Sequence, residues 1–325
     1  NGQQRYCVAY TTLTGTETSL GTAGQETWYV VDSDVSFTDL TINGDIHLIL
    51  VDGKTMNLNH EQGFVTLWGQ ANLTIYGQTN GTGTLSSLGL ISAMNISING
   101  GIVNVKGDGF FKEENYIPAI WCVGDMVING GKVYAQGDMG IVVASMGAKS
   151  DDMTTYNFTL NGGQVTAIGM STDMDMGIIA TGNITLGWTN PTDYIYANKY
   201  YAGGTLSIAS GKTFVDEDVN TYSGTVAMVS GAYAIDGKTL YPDCVVMKQV
   251  EGYEEGNGGW VFIASPVAGS IAPSEVHNLL LSADETTDDY DLYHFNQAAE
   301  LEWENWKATA TGNDPDFTTL VNGQG

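Results

Sequence analysis

The sequence predicts an all-β chain, a right-handed parallel β-helix followed by a small β-sandwich-like module. Three observations carry this reading. One six-residue phrase returns along the chain, most copies alternate apolar with polar side chains, and Gly, Asn or Asp separates the copies. The phrase reads Asp39-Leu-Thr-Ile-Asn-Gly44, Asn72-Leu-Thr-Ile-Tyr-Gly77 and Asn95-Ile-Ser-Ile-Asn-Gly100. It continues as Asp125-Met-Val-Ile-Asn-Gly130, Asn157-Phe-Thr-Leu-Asn-Gly162 and a shortened Asn183-Ile-Thr-Leu-Gly187. Offsets of 33, 23, 30, 32 and 26 residues separate the copies. The phrase is constant and the connections vary.

Each phrase has the period of a short strand. In Leu40-Thr-Ile42, Leu73-Thr-Ile75 and Ile96-Ser-Ile98 the apolar residues share one face and the hydroxyl residue takes the other. A second phrase follows in three copies: Gly101-Ile-Val-Asn-Val-Lys-Gly107, Gly131-Lys-Val-Tyr-Ala-Gln-Gly137 and Gly163-Gln-Val-Thr-Ala-Ile-Gly169. A third reads Gly140-Ile-Val-Val-Ala144 and Gly177-Ile-Ile-Ala-Thr181, with Ile117-Pro-Ala-Ile-Trp121 as a looser version. Three strands per coil, at about 22 to 33 residues per coil, suit a parallel β-helix in which each coil stacks Leu, Ile and Val on the same residue types in the next. A leucine-rich repeat would need a fixed period and an L-x-x-L-x-L core, and this chain has neither.

The Asn or Asp opening each first phrase is expected to form an inside or corner ladder, side-chain amide to side-chain amide. Coils are then expected to begin at residues 39, 72, 95, 125, 157 and 183. The register extends back through Trp28–Val31, Val35–Phe37 and Ile46–Leu50, and forward through Thr205–Ile208. A cap is expected over about residues 1–27, because an open end of stacked strands is an aggregating edge. The pattern loosens around Thr225–Pro242, which places the solenoid at 1–245 and a tail module at 246–325.

Composition agrees with strands joined by tight turns: Gly is abundant (42 copies), Pro rare (6), and 42% of residues are hydrophobic. Lys and Arg total 11 against 37 Asp and Glu, a net charge of −26. That balance disfavours nucleic acid and anionic membranes as partners, and polyanionic substrates unless cations bridge the two. Cys7, Cys122 and Cys244 are odd in number and widely spaced, so no disulfide framework is expected. The longest apolar runs are too short to span a bilayer. The chain opens at Asn1 with neither Met nor a basic and apolar leader, as a mature or trimmed form would.

From about Val246 the composition changes. Gly259-Trp-Val-Phe-Ile-Ala-Ser-Pro266, Tyr290-Asp-Leu-Tyr-His-Phe-Asn-Gln297 and Trp303-Glu-Asn-Trp306 resemble a C-terminal module of uncharacterised surface proteins of gut bacteria. In that family Asn322-Gly-Gln-Gly325 would run on into another aromatic strand, so the resemblance implies a module lacking its last strand. Leu73-Thr-Ile-Tyr-Gly-Gln78 and Phe214-Val-Asp-Glu-Asp218 resemble solenoids described as carbohydrate-binding or adhesin-like. The resemblance implies a secreted or cell-surface location, the periplasm included. It makes a polysaccharide or a host or bacterial surface protein the expected partner.

β-Helices also include polysaccharide lyases and glycoside hydrolases, which need facing carboxylates or a basic residue beside an acidic substrate. The Asp151-Asp152 pair stands without the Gly-His-Gly and Arg-x-Lys elements of polygalacturonases, no Arg follows Arg5, and the four His are scattered. A non-catalytic binding or adhesion protein is therefore the expected function, with a β-helix lyase or hydrolase and a structural stalk as alternatives. Closely spaced hard oxygens at Asp173 with Asp175 and at Asp216 with Asp218 are candidate Ca²⁺ ligands, although turn Asp residues also cap corners. Glycan binding uses exposed rings beside polar groups. Trp121, Trp188, Tyr194, Tyr196, Tyr200 and Tyr201 are its candidates, placed in irregular connections, and packing under loops is the competing reading. The Asn-x-Ser/Thr matches at Asn72, Asn95, Asn157 and Asn183 share one register of the repeat, so the solenoid accounts for them without glycosylation.

Overall fold

Alternation at period two, repeated every few dozen residues, leaves the chain one economical way to bury its apolar faces: stacking strand on like strand. The computed structural model describes residues 7, 9–59, 67–107, 117–145, 154–171, 175–227 and 235–242, with 270–271, 293–298, 303–305 and 319–321 of the tail. The chain divides into two compact units, Asn1–Asp243 and Cys244–Gly325. Every regular element among the described residues is a β-strand.

In the first unit the strands fall into three parallel ladders, consistent with a β-helix. The first sheet runs Thr11–Thr12, Glu26–Val31, Gly44–Leu50, Ala71–Gly77, Ile96–Ile98, Met126–Ile128, Phe158–Leu160, Ile184–Leu186 and Leu206–Ile208. The second runs Ser19–Leu20, Leu40–Ile42, Leu67–Trp68, Ile91–Ala93, Pro118–Cys122, Met139–Val143 and Ile178–Ala180. The third runs Val35–Phe37, Thr55–Leu58, Thr84–Ser87, Ile102–Lys106, Lys132–Gly137 and Gln164–Gly169. The nine-residue strand Tyr194–Ala202 joins the last two, its start pairing with Gln164–Ala167 and its end with Ile178–Ala180.

The register corrects one expected start. Leu40 pairs with Leu67 in the second sheet, whereas Asp45 and Ile46 pair with Asn72 and Leu73 in the first. The phrase at 39–44 thus copies the alternation but belongs to another face, and the true predecessor of Asn72 is Asp45. The starts from 72 to 183 share one column, which continues to Thr205. Thr11–Thr12 and Ser19–Leu20 already lie in the first and second sheets, so the ladder begins within the stretch expected to cap it.

The core is a set of like-on-like columns. Ile46, Leu73, Ile96, Met126, Phe158, Ile184 and Leu206 follow one another in the first sheet, all buried. Met56, Leu85, Val103, Val133, Val165 and Ile195 do the same in the third. Burying each such side chain contributes about 1.5–3 kcal/mol relative to exposure. At the corner before the first sheet, the expected polar ladder forms on the outside. Asn72 Nδ2 donates to Asp45 Oδ1, Asn95 Nδ2 to Asn72 Oδ1 (2.7 Å) and the Asp125 amide to Asn95 Oδ1 (2.9 Å). The amides of Asn157, Asn183 and Thr205 continue it onto Asp125, Asn157 and Asn183, at 2.8 to 2.9 Å. A shorter ladder joins Asn99, Asn129 and Asn161 through their amides at 2.8 Å. The next corner is stacked glycine. Gly101, Gly131 and Gly163 all hold positive φ, and a Cβ on Gly131 would lie 2.6 Å from the Gly101 carbonyl oxygen.

Parallel pairing ends in a reversal. Thr225–Val226 runs antiparallel to Leu206–Ser207, and Asp236–Pro242 antiparallel to both Tyr194–Ala202 and Phe214–Asp216. In the second unit, Ser270–Ile271 pairs with Leu320–Val321 and Tyr293–Phe295 with Trp303–Asn305, both antiparallel. The Trp260 phrase, Trp306 and Asn322–Gly325 lie outside the described residues.

Two substitutions test the corners. Asn95→Ala removes a donor and an acceptor from the outer ladder and is expected to lower unfolding free energy by about 1–2 kcal/mol in denaturant titration. Gly131→Ala forces a side chain into a left-handed backbone against a carbonyl and is expected to cost at least about 2 kcal/mol. An unchanged denaturation midpoint in either variant would remove that corner from the account of stability.

Candidate functional site

The outward residues of the third sheet line a shallow, open depression. On neighbouring strands Ile102, Lys132, Gln164 and Tyr194 stand in one outward column, and Asn104, Tyr134, Thr166 and Tyr196 in the next. Between these columns lies a shallow groove of about 430 Å³, to which Asn104, Lys106, Lys132, Tyr134, Gln164, Thr166 and Tyr194 contribute. Among the described residues no carboxylate lines it.

Its polar groups are held by neighbours on the same strand, on the adjoining strand and in a connecting turn. Tyr134 donates its hydroxyl to Gln136 Oε1, and Lys106 Nζ lies 5.8 Å from the Tyr134 ring centre, within cation–π range. Gln164 Nε2 donates to the Thr192 carbonyl at 3.1 Å. The Tyr194 ring sits 6.4 Å from that of Tyr241, tilted by 44°. Asn104 Oδ1 has no hydrogen-bond partner. Rings, amides, a hydroxyl and ammonium groups on one rigid face can stack on a sugar and exchange hydrogen bonds with its hydroxyls.

The aromatic residues singled out in the sequence do not form one site. Tyr194 lines the groove and Tyr196 is the next outward residue of the same strand. Trp121 and Tyr201 belong to the outward column of the second sheet, where the register sets Trp121 beside Val142, Val142 beside Ile179 and Ile179 beside Tyr201. Trp121 is half-buried and donates Nε1 to the Ala144 carbonyl at 2.8 Å. Tyr200 is fully buried, because it pairs with Ile178 at the end of an inward column of isoleucines. It has no face open to a sugar, and burial pushes its hydroxyl pKa up. Trp188 packs partly against the core under the Lys212 ammonium, 4.0 Å above its ring. Five of the six thus sit in strands rather than irregular connections, and only Trp188 occupies a loop.

Two exposed or stacked aromatic features escaped the sequence reading. Trp68, 52% exposed, stands on the strand paired with Ile91–Ala93 in the second sheet. Its signal was the Leu67-Trp68 pair, an inward apolar residue followed by an outward ring, as in Ile120-Trp121. On the first sheet Trp28, His47 and Tyr76 stack with ring centres 4.1 Å (Trp28–His47) and 5.9 Å (His47–Tyr76) apart. Glu26 ties this stack together, accepting from Trp28 Nε1 at 2.7 Å and lying 3.5 Å from His47 Nε2.

The acidic candidates are engaged by protein groups. Asp175 pairs with Lys199 and Asp218 with Lys238, while Asp173 lies outside the described residues, as do Asp151 and Asp152. Asp216 is buried and closes a turn: its Oδ1 accepts from the amides of Asp218 (3.0 Å) and Asn220 (2.8 Å), and its Oδ2 from Asn220 Nδ2 and the Tyr222 hydroxyl (2.9 Å). That turn holds Val219 at φ 65°. Among the described residues no three His, Cys, Asp or Glu groups converge as a metal site would need. Cys122 is a core residue whose thiol burial pushes up to about 12, and it donates to the carbonyls of Gly124 and Asp125. Cys244 lies outside the described residues.

Burial raises the pKa of Asp216, but the hydrogen bonds from Asn220, Tyr222 and Asp218 outweigh it and hold the group below its usual value of 3.8. A depressed carboxylate stabilises the fold above its unfolded pKa, and that contribution fades as pH falls through the folded value. Stability is therefore expected to drop below about pH 4, and Asp216→Asn to flatten that acid limb when denaturant midpoints are compared at pH 6 and pH 3. An equally steep limb in the variant would show that the carboxylate is not held. No protein-family model, curated protein or solved structure matches the chain.

Proposed function

We propose that this chain is a non-catalytic, secreted or cell-surface binding protein, a right-handed parallel β-helix that presents the outer face of its third sheet to a glycan. The observation that carries this reading is the groove containing Tyr134 and Tyr194 between amide and hydroxyl groups, with no carboxylate among its described residues. A sugar offers an apolar ring face and a rim of hydroxyls, and this surface offers a partner for each. The rigid ladder beneath holds the groups in place before binding, so little ordering opposes association. Strands about 4.8 Å apart repeat the surface at a spacing suited to a ligand that is itself repetitive.

The test is a screen of plant and host polysaccharides, read both as binding and as release of reducing sugar. Binding without release is expected. Tyr134→Ala is expected to weaken it about tenfold or more, with the thermal transition unchanged. Release of sugar would replace this reading with that of a lyase or hydrolase. Undiminished binding in Tyr134→Ala would move the site elsewhere.

A further inference from the structure

Two cations in the groove stand out against the charge of the chain. With 37 acidic residues to 11 basic, a groove that gathers two lysines and, among the described residues, no carboxylate is a local inversion of that balance. Lys132 pairs with Ile102, and Lys106 lies four positions further along that same strand. The two lysines are therefore about 13 Å apart along the strand direction and one strand apart across it. Tyr134, on the strand of Lys132 and paired with Asn104, lies midway between them. The groove thus has a ring at its centre, with the Lys106 ammonium 5.8 Å from that ring and Lys132 two positions before it on the ring's own strand.

Resting on the glycan reading above, we infer that the ligand is an anionic glycan, one whose sugars carry carboxylate or sulfate groups. Net charge argues against such a partner at long range. Yet at physiological ionic strength charges are screened over about 8 Å, so acidic groups elsewhere on the surface act weakly on a bound sugar. An ammonium group in contact with an anionic substituent is screened much less at that ionic strength, and its charge-assisted hydrogen bonds are about twice as strong as neutral ones. A neutral sugar could accept hydrogen bonds from both ammonium groups but would leave their charges unmatched. Lys106 and Lys132 stand on neighbouring strands four positions out of register, so an extended anionic chain can meet both.

The experiment compares three oligosaccharides of similar length by calorimetric titration at constant pH: oligogalacturonate, a sulfated dextran oligomer and a neutral galactan oligomer. At least one anionic probe is expected to bind ten or more times tighter than the neutral one, and to lose that advantage as salt is raised. The double variant Lys106→Gln/Lys132→Gln is expected to abolish the preference while neutral binding persists. Lys212→Gln, outside the groove, is expected to leave the preference intact. Equal affinity for neutral and anionic probes, or a preference that survives the double variant, would overturn the inference and leave the glycan reading standing. Failure of all three probes to bind would count against both.

Discussion

Parallel pairing in register governs everything else in the first unit. A strand residue faces inward or outward by its parity, so a slip of one position would expose an entire inward column and bury its polar counterpart. Each repeat must therefore offer the same kind of residue at the same place as its neighbours. Ile46, Leu73, Ile96, Met126, Phe158, Ile184 and Leu206 vary in size but never in polarity. The corners answer to the same rule: Asn and Asp recur where an amide must meet the repeat before it, and glycine recurs where a side chain would strike a carbonyl. Connections between strands escape the rule, which is why the spacing between repeats wanders while the phrases do not.

That contrast explains what was legible. Alternation, corner residues and their recurrence are local, so the strands and the polar ladder could be read directly from the sequence. Which sheet a strand joins is not local. Leu40-Thr-Ile42 and Ile46-His-Leu48 have interchangeable patterns, and only the positive-φ turn at Gly44, where a Cβ would meet the Thr22 and Gln25 carbonyls, puts the second one in the first sheet. Tyr200 and Tyr201 show the same limit at the level of one residue. Aligned with Ile178 and Ile179, the first tyrosine takes the inward place and the second the outward one. The groove was least legible of all, because its residues come from separate repeats and, Tyr194 apart, are inconspicuous alone.

The division of labour between inside and outside also fits a binding role. Inward columns are saturated with apolar contacts and leave no freedom for function. Outward columns can vary, since a Lys, Tyr, Thr or Gln there disturbs neither the ladder nor the core. A groove can thus be written onto one sheet by changing alternate residues in four neighbouring strands. The acidic candidates behave differently: Asp175, Asp216 and Asp218 are used up in ion pairs and a closed turn, so their charge secures chain geometry.

The reversal at Thr225–Val226 and Asp236–Pro242 bears on a hazard that any stacked parallel ladder carries. The last parallel strand is a template on which another molecule of the same sequence could add its own first repeat, and the addition would leave an identical template behind. Strands running the opposite way occupy that edge in two of the three ladders, and Pro242 offers no amide hydrogen to a newcomer. The repeat supplies the means of endless end-to-end growth. The few residues that break it cover the growing end of two of those ladders and so work against a fibre.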